Sequence, residues 1–319
     1  MRIIFMGTAE LSCASLEALA RDPRFPIAAV VTQPDRPKGR ELKPQPSPVK
    51  LLAEQLHLPL LQPTRARDEK FISELRGLAP DLIVVAAYGQ ILPPAILDLP
   101  RYGCLNVHTS LLPKYRGAAP IQWAIAQGDA ETGVTIMKMD PGLDTGEIVA
   151  QRRTAIQPAD DSATLHARLA RLGAELLLAT IPDYTAGKIQ PQPQPAEGVS
   201  HAPKIKKEDG RIDWSLPAQT IVNRLRAFTP WPGAFTFWDG KLLKIWKIRF
   251  AEVIGREETP PAGFVLKPGT ILSADKSGIL VTCGKDVVFV AELQLEGGRR
   301  MSAAEFLAGH PLKIGDRLE

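Results

Sequence analysis

Short unbroken apolar runs alternate with looser, helically spaced apolar positions through the first half of the chain. Residues 2–6, RIIFM, read as a strand. Gly7-Thr8 turns the chain, and Leu11, Leu16 and Leu19 form a helical face that ends near Ala20. Residues 27–31 are a second strand, so the chain opens as the β-α-β of a parallel sheet. A helix over 49–56, a short strand starting at 58–60 and a helix over 68–78 follow. Residues 81–88, DLIVVAAY, are almost all apolar, as in a strand covered on both faces. The spacing then predicts a strand over 104–107, a helix over 119–127, a strand over 132–139 and a long helix over 161–184 with Pro182 as a candidate break.

The pattern changes at residues 187–203, GKIQPQPQPAEGVSHAP, where alternating proline and glutamine favour extended chain. This places a first domain at 1–189, a linker at 190–206 and a second domain at 207–319. After a short helix over 217–227 the second domain is a series of short strands. They fall at 231–237, 241–250, 263–265, 279–282 and 287–293, with an Asp239-Gly240 hairpin signal and a helix at 303–307. The expected architecture is α/β: a Rossmann-like open parallel sheet followed by a small antiparallel β-barrel.

Composition adds limits. The 319 residues suit two domains. Three widely spaced cysteines, Cys13, Cys104 and Cys283, suggest no disulfide framework and favour a reducing, cytoplasmic setting. The N-terminus turns polar too soon for a signal peptide, and no run approaches the length of a membrane span. The single Gly7 is no GxGxxG fingerprint, so a dinucleotide site is poorly supported. Nothing forces a dimer interface, and a monomer is expected. Net charge is +4, which permits an anionic partner without requiring one.

Two basic segments bear on that partner. Residues 33–50 carry Arg36, Lys38, Arg40, Lys43 and Lys50 against Asp35 and Glu41, with too many prolines for a helix or a central strand. The stretch reads as a solvated loop or as a basic arm that orders around a polyanion. Lys241, Lys244, Lys247 and Arg249 fall within nine residues, which suits a nucleic-acid patch or an ordinary solvated edge.

The candidate chemistry centres on 103–117, GCLNVHTSLLPKYRG. Asn106 and His108 are two apart, so an extended chain points both to one face. An amide donor beside an imidazole can hold a developing oxyanion; a core histidine beside a structural asparagine is the plain alternative. Asp144 sits on the DPGLDTG turn after the next strand. In a parallel sheet that turn would reach the same edge, where Asp144 could hold the imidazole. Cys104 shows no sign of activation, and one histidine with one aspartate makes a poor metal site, so no metal is expected. Ile91 and Leu92 could line a pocket for a flat organic molecule or simply pack the core.

RIIFMGT at 2–8, TQPDRPKGR at 32–40, SPVK at 47–50 and AAYGQILP at 86–93 carry a resemblance. It continues through LNVHTSLLPKYRGAAPIQWAI at 105–125, TGVTIMKMDPGLDTGEI at 132–148, HAPKI at 201–205, IDW at 212–214 and FTPWPGAFT at 228–236. The chain resembles the 10-formyltetrahydrofolate-dependent formyltransferases over nearly its whole length, and the PDRPxGR, HAPKI and PWPGAF segments narrow this to those acting on tRNA. Gly7-Thr8-Ala9-Glu10-Leu11-Ser12 departs from the family's GTPxFA turn.

The resemblance implies a catalytic trio at Asn106, His108 and Asp144. It implies 10-formyltetrahydrofolate as formyl donor, held near Ile91, Leu92, Ser110, Leu111, Leu112, Pro113, Met139, Asp140 and Gly142. The acceptor would be the methionine α-amine of initiator methionyl-tRNA, attacked directly through a tetrahedral intermediate. Arg36, Lys38, Arg40 and Lys43 would embrace the acceptor stem, with Arg40 as the key contact, and an OB-like C-terminal barrel would hold the tRNA through Lys241, Lys244 and Lys247. A folate hydrolase or an amino-sugar formyltransferase would share the trio but give the basic arm no purpose. A tRNA-binding protein without activity would not need the trio.

Overall fold

The computed structural model describes residues 1–38, 43–251 and 267–319. Two compact units emerge from the chain's own contacts. The first comprises Met1–Pro120, Glu131–Ile156 and Thr164–Pro203; the second comprises Ile121–Ala130, Gln157–Ala163 and Lys204–Glu319.

In the first unit, β1 (Ile3–Gly7), α1 (Leu11–Arg21) and β2 (Ile27–Val31) form the opening β-α-β. Next come β3 (Arg36–Lys38), β4 (Lys43–Gln45), α2 (Pro48–Gln55), β5 (Leu60–Leu61), α3 (Glu69–Leu78) and β6 (Leu82–Ala86). The series continues with α4 (Pro94–Leu97), β7 (Cys104–His108), β8 (Arg116–Gly117), β9 (Glu131–Lys138), β10 (Ile148–Ala155), α6 (Ser162–Thr185), which belongs to this unit from Thr164 onward, and β11 (His201–Ala202); α5 (Pro120–Gln127), between β8 and β9, falls in the second unit from Ile121 onward. Seven strands make the main sheet, in the order β10-β9-β7-β6-β1-β2-β5. The strands from β5 to β7 run parallel, as the sequence predicts. β9 runs antiparallel to β7, and β10 antiparallel to β9, so the sheet is mixed.

Strand alternation distributes the core. Ile4, Met6, Val31, Ile83, Val85 and Cys104 face one side and pack against Phe71, Ile72 and Leu75 of α3 and Ile96 and Leu97 of α4. Residues Ile3 and Phe5 point the other way and are equally buried, so both faces of the central strands are covered. α6 continues through Pro182 instead of breaking there. Its Gly173 lies where an added Cβ would come 2.8 Å from Val107, so helix and sheet approach closely.

The basic segment differs from the expected loop. β3 and β4 form a separate antiparallel ribbon, with Arg36 opposite Gln45, Pro37 opposite Pro44 and Lys38 opposite Lys43. A two-stranded ribbon tolerates proline because each strand has an unpaired edge. Its base is tied down. The hydroxyls of Thr32 and Ser47 lie 2.7 Å apart, and Ser47 also caps α2 by accepting from the Lys50 N–H at 3.0 Å. Asp35 accepts from Lys50 at 2.8 Å and from Gln62 at 2.9 Å, and these bonds hold its carboxyl below the usual range. Arg40 lies outside the described residues.

The second unit contains α7 (Ala218–Phe228), β12 (Ala234–Trp238), β13 (Lys241–Ala251), β14 (Ile271–Asp275), β15 (Gly278–Thr282), β16 (Val287–Leu295), β17 (Met301–Ser302) and α8 (Ala303–Gly309). An antiparallel sheet runs β12-β13-β16-β15-β14, with β17 on β16. The Asp239-Gly240 turn has positive φ at both residues, 50° and 71°, as a tight hairpin needs. Leu243, Ile245, Val288, Val290 and Phe306 build its core with Ile221 and Leu225 of α7. The strand expected at 263–265 lies outside the described residues.

Candidate active site

β7 is buried along its whole length. Its alternation sends Cys104 into the core and carries Asn106 and His108 on the same face to a cavity of about 460 Å³. The walls are mainly apolar: Val85, Leu92, Met137 and Met139 contribute, with Ile91 and Leu143 beside them. Ile91 is 83% exposed and Leu143 62%. Asn106, His108 and Asp144 all line this cavity.

Asp144 reaches His108 by a route unlike the one the sequence suggests. Because β9 is antiparallel to β7, Lys138 at its end lies beside Leu105, while His108 lies beside Thr135. The chain after β9 therefore leaves at the wrong end and must come back along the sheet, roughly 10 Å over three residues. The 139–147 loop makes that return. Asp140 starts it with a side-chain turn, accepting from the Gly142 N–H at 3.1 Å and the Thr145 hydroxyl at 2.7 Å. Asp144 adopts a left-handed φ of 51°. At Gly146 an added Cβ would lie 1.9 Å from the Lys138 carbonyl, so the turn closes only with glycine.

His108 and Asp144 are held by one short strand. Nε2 of His108 lies 3.0 Å from the Tyr115 carbonyl, and Nδ1 lies 3.7 Å from Asp144 Oδ2. The same Oδ2 accepts from the Gly117 N–H at 2.8 Å. Tyr115 and Gly117 flank Arg116 of β8, which pairs in parallel with β11. Gly117 has φ 123°, and its Cα lies so close to Ala202 that a Cβ would come 2.7 Å from that carbonyl. Both imidazole nitrogens thus face oxygen, with Nε2 committed to the backbone and Nδ1 turned towards Asp144.

The other expected residues divide. Ile91, Leu92, Met139, Asp140 and Gly142 line the cavity. Ser110, Leu111, Leu112 and Pro113 are not among its lining residues. Ser110 bonds the Lys114 carbonyl, and the Leu112 N–H donates to Thr135, so this turn braces β7 against β9. Among residues not anticipated, Tyr88, Gly117 and Leu143 line the cavity. Gly117 stood in the YRG motif, but its role depends on an N–H, which sequence does not display. Burial pushes the Tyr88 hydroxyl and the Cys104 thiol up to about 12, so both stay protonated at neutral pH. Arg36 is exposed on the ribbon, and Lys241, Lys244 and Lys247 are exposed on β13. Register shifts on either side of Lys247 re-aim it within that strand, and its Nζ lies 4.0 Å from Glu292.

Residues 1–181 match the formyl transferase family and residues 204–311 the formyl transferase C-terminal domain. A methionyl-tRNA formyltransferase from Citrifermentans bemidjiense is 51% identical over 318 residues, which take in 100% of this chain and 96% of the relative. One from Myxococcus xanthus is 50% identical over 316 residues, covering 99% of this chain and 97% of the relative. Among solved structures, HypX from Aquifex aeolicus in complex with tetrahydrofolic acid aligns with 100% of this chain at TM-score 0.60 and 19% identity; the chain spans 50% of HypX. The N-formyltransferase from Helicobacter canadensis, solved with folinic acid and dTDP-3-aminofucose, aligns at TM-score 0.63 and 18% identity over 90% of this chain and 98% of its own. These two structures share the fold. The full-length identity and the paired domains place the chain more narrowly: it belongs to the methionyl-tRNA formyltransferase family.

Proposed function

We infer that the chain transfers the formyl group of 10-formyltetrahydrofolate to the methionine α-amine of initiator methionyl-tRNA, with Asn106, His108 and Asp144 as its catalytic residues. The observation that carries the residue assignment is their convergence on one apolar cavity of about 460 Å³. That volume falls among organic ligand pockets. Ile91 and Leu143 offer exposed aliphatic surface that a flat ring would cover. 10-Formyltetrahydrofolate supplies a formyl carbon activated through N10.

In this reading the Asn106 amide donates to the formyl oxygen as negative charge develops there. His108 assists from its Nδ1 edge, since Nε2 is held by the Tyr115 carbonyl. Asp144 keeps the ring in place and helps pass the proton that the amine loses to N10, whose bond to the formyl carbon breaks as the tetrahedral intermediate collapses and tetrahydrofolate leaves. Its own carboxylate is fixed by the Gly117 N–H. No covalent intermediate on the enzyme is involved, and the Cys104 thiol is buried and protonated.

The remaining assignments belong to the same proposal. Residues 1–189 form the catalytic domain, 190–206 the linker and 207–319 the tRNA-binding domain. Arg36, Lys38, Arg40 and Lys43 of the ribbon segment meet the acceptor stem, and Lys241, Lys244 and Lys247 meet the tRNA backbone. Use of charged tRNA as substrate places the protein in the cytoplasm, and it acts as a monomer. Among the described residues no helix is long and apolar enough to cross a membrane.

Formyl transfer measured with methionylated initiator tRNA, with elongator methionyl-tRNA and without tRNA tests the reading. Rapid formylation of the initiator is the expected result. Folate turnover at the same rate without tRNA would replace the reading with a hydrolase.

A further inference from the structure

Gln194 lies in the proline- and glutamine-rich stretch whose composition suggests a passive spacer. Its side chain is half-buried between exposed neighbours at 193 and 195. Nε2 donates to the carbonyls of Asp144 and Gly146, both at 2.8 Å. Oε1 accepts from Arg116 Nε at 3.1 Å and Nη2 at 2.7 Å. Two donors and two lone pairs are the full capacity of a primary amide, and all four are used. The nearby glutamines behave differently. Gln190 bonds the Gly187 carbonyl and Gln192 the Gln190 carbonyl, both within the same stretch.

The partners of Gln194 are the backbone of the turn that carries Asp144 and the side chain of Arg116, which belongs to the short strand that holds the reacting side chains. Asp144 and Gly146 flank the turn that presents the Asp144 carboxylate, in a left-handed conformation that the surroundings must enforce. Arg116 lies between Tyr115, whose carbonyl meets His108, and Gly117, whose N–H meets Asp144. These pieces come from separate parts of the chain. A single amide bridges them from a third.

We propose that Gln194 is a positioning residue for formyl transfer, fixing the Asp144 turn against β8 so that Asp144 and His108 keep their spacing. The proposal rests on the catalytic reading of Asp144 and His108 given above. Glutamate could keep the Arg116 contacts but would set an acceptor against two carbonyls, so the two functions of the amide are separable.

Single-turnover formylation by Gln194→Ala, Asp144→Asn and the double variant forms a test cycle, with thermal melting, KM for the initiator tRNA and folate binding measured alongside. Gln194→Ala is expected to slow the chemical step about 10²-fold, as a misplacement of order 1 Å does. KM and folate binding should stay near wild-type values. With Asp144 already replaced, most of that loss should vanish, because the two residues act as one unit. Gln194→Glu should be slowed as well despite its intact Arg116 pair. Equal losses in both backgrounds, or a full-speed Gln194→Ala, would overturn the proposal. If Gln194→Ala fails to fold, the cycle is judged on Gln194→Glu; failure of both to fold would make the residue structural and overturn it equally. Wild-type protein without formylation activity would instead overturn the functional reading itself.

Discussion

Asn106, His108 and Asp144 answer to different constraints, so their substitutions should fail differently. Asn106 offers its amide to the cavity from a buried strand. Asn106→Ala should cut turnover by about 10²–10³, the usual loss for one oxyanion donor, while tRNA binding persists. Separate rate and binding assays decide this, and an equal loss in both would remove Asn106 from the chemistry. Gly146→Ala should act through the fold. Its Cβ would meet the Lys138 carbonyl at 1.9 Å, and relief requires moving the turn that carries Asp144. A destabilisation of about 1–3 kcal/mol in urea melts, with a larger loss of rate, is expected. Cys104 should stay silent. Its thiol is pushed up to about 12, so mass spectrometry of native protein treated with iodoacetamide at about pH 8 should find it unmodified. At this scale the sequence was informative where a period governed the side chains: Asn106 and His108 follow from two-residue alternation. The contacts made by backbone atoms of Tyr115, Gly117 and Asp144 carry no side-chain signature, and so they were not legible.

Elements show a similar division. The buried strands and the faces of α1 and α3 follow from apolar periodicity, and their expected and observed spans agree to within a residue or two at most ends. β9 could not be oriented that way, because an apolar strand reads alike in either direction. Only the return of the 139–147 loop resolves how Asp144 arrives. The β3–β4 ribbon was hidden by its prolines, which normally argue against a strand. It depends on its base, and Ser47 has two tasks there. Ser47→Ala removes the α2 cap and the contact with Thr32, and should cost about 0.5–2 kcal/mol of stability. It should also raise the KM for tRNA with folate binding unchanged; an unchanged KM would detach the ribbon from tRNA recognition.

For the molecule as a whole, the formal charge of +4 is too small to explain strong binding of a polyanion by bulk attraction. Binding must rely on where the cations stand. Replacing Lys241, Lys244 and Lys247 together by alanine should lower the slope of log affinity against log salt by about two to three units if all three meet phosphates. An unchanged slope would assign these lysines to solvent and to Glu292. A composition shift near residue 190 was legible. The clustering of 121–130 and 157–163 with the second unit was not, because excursions of that kind leave no mark in local pattern.

The contact between Thr32 and Ser47 has an evolutionary consequence. The chain leaves β2 and enters α2 at nearly one point, where two hydroxyls lie 2.7 Å apart. A segment with coincident ends is a cassette. Its length and charge can change while β2 and α2 keep their paths, and each doubling of a flexible insert adds only about 0.6 kcal/mol of closure cost. On the reading proposed above, preference for a different acceptor could therefore arise by exchange within residues 36–46, with Gln33 and Asp35 kept for their bonds to Tyr88, Lys50 and Gln62.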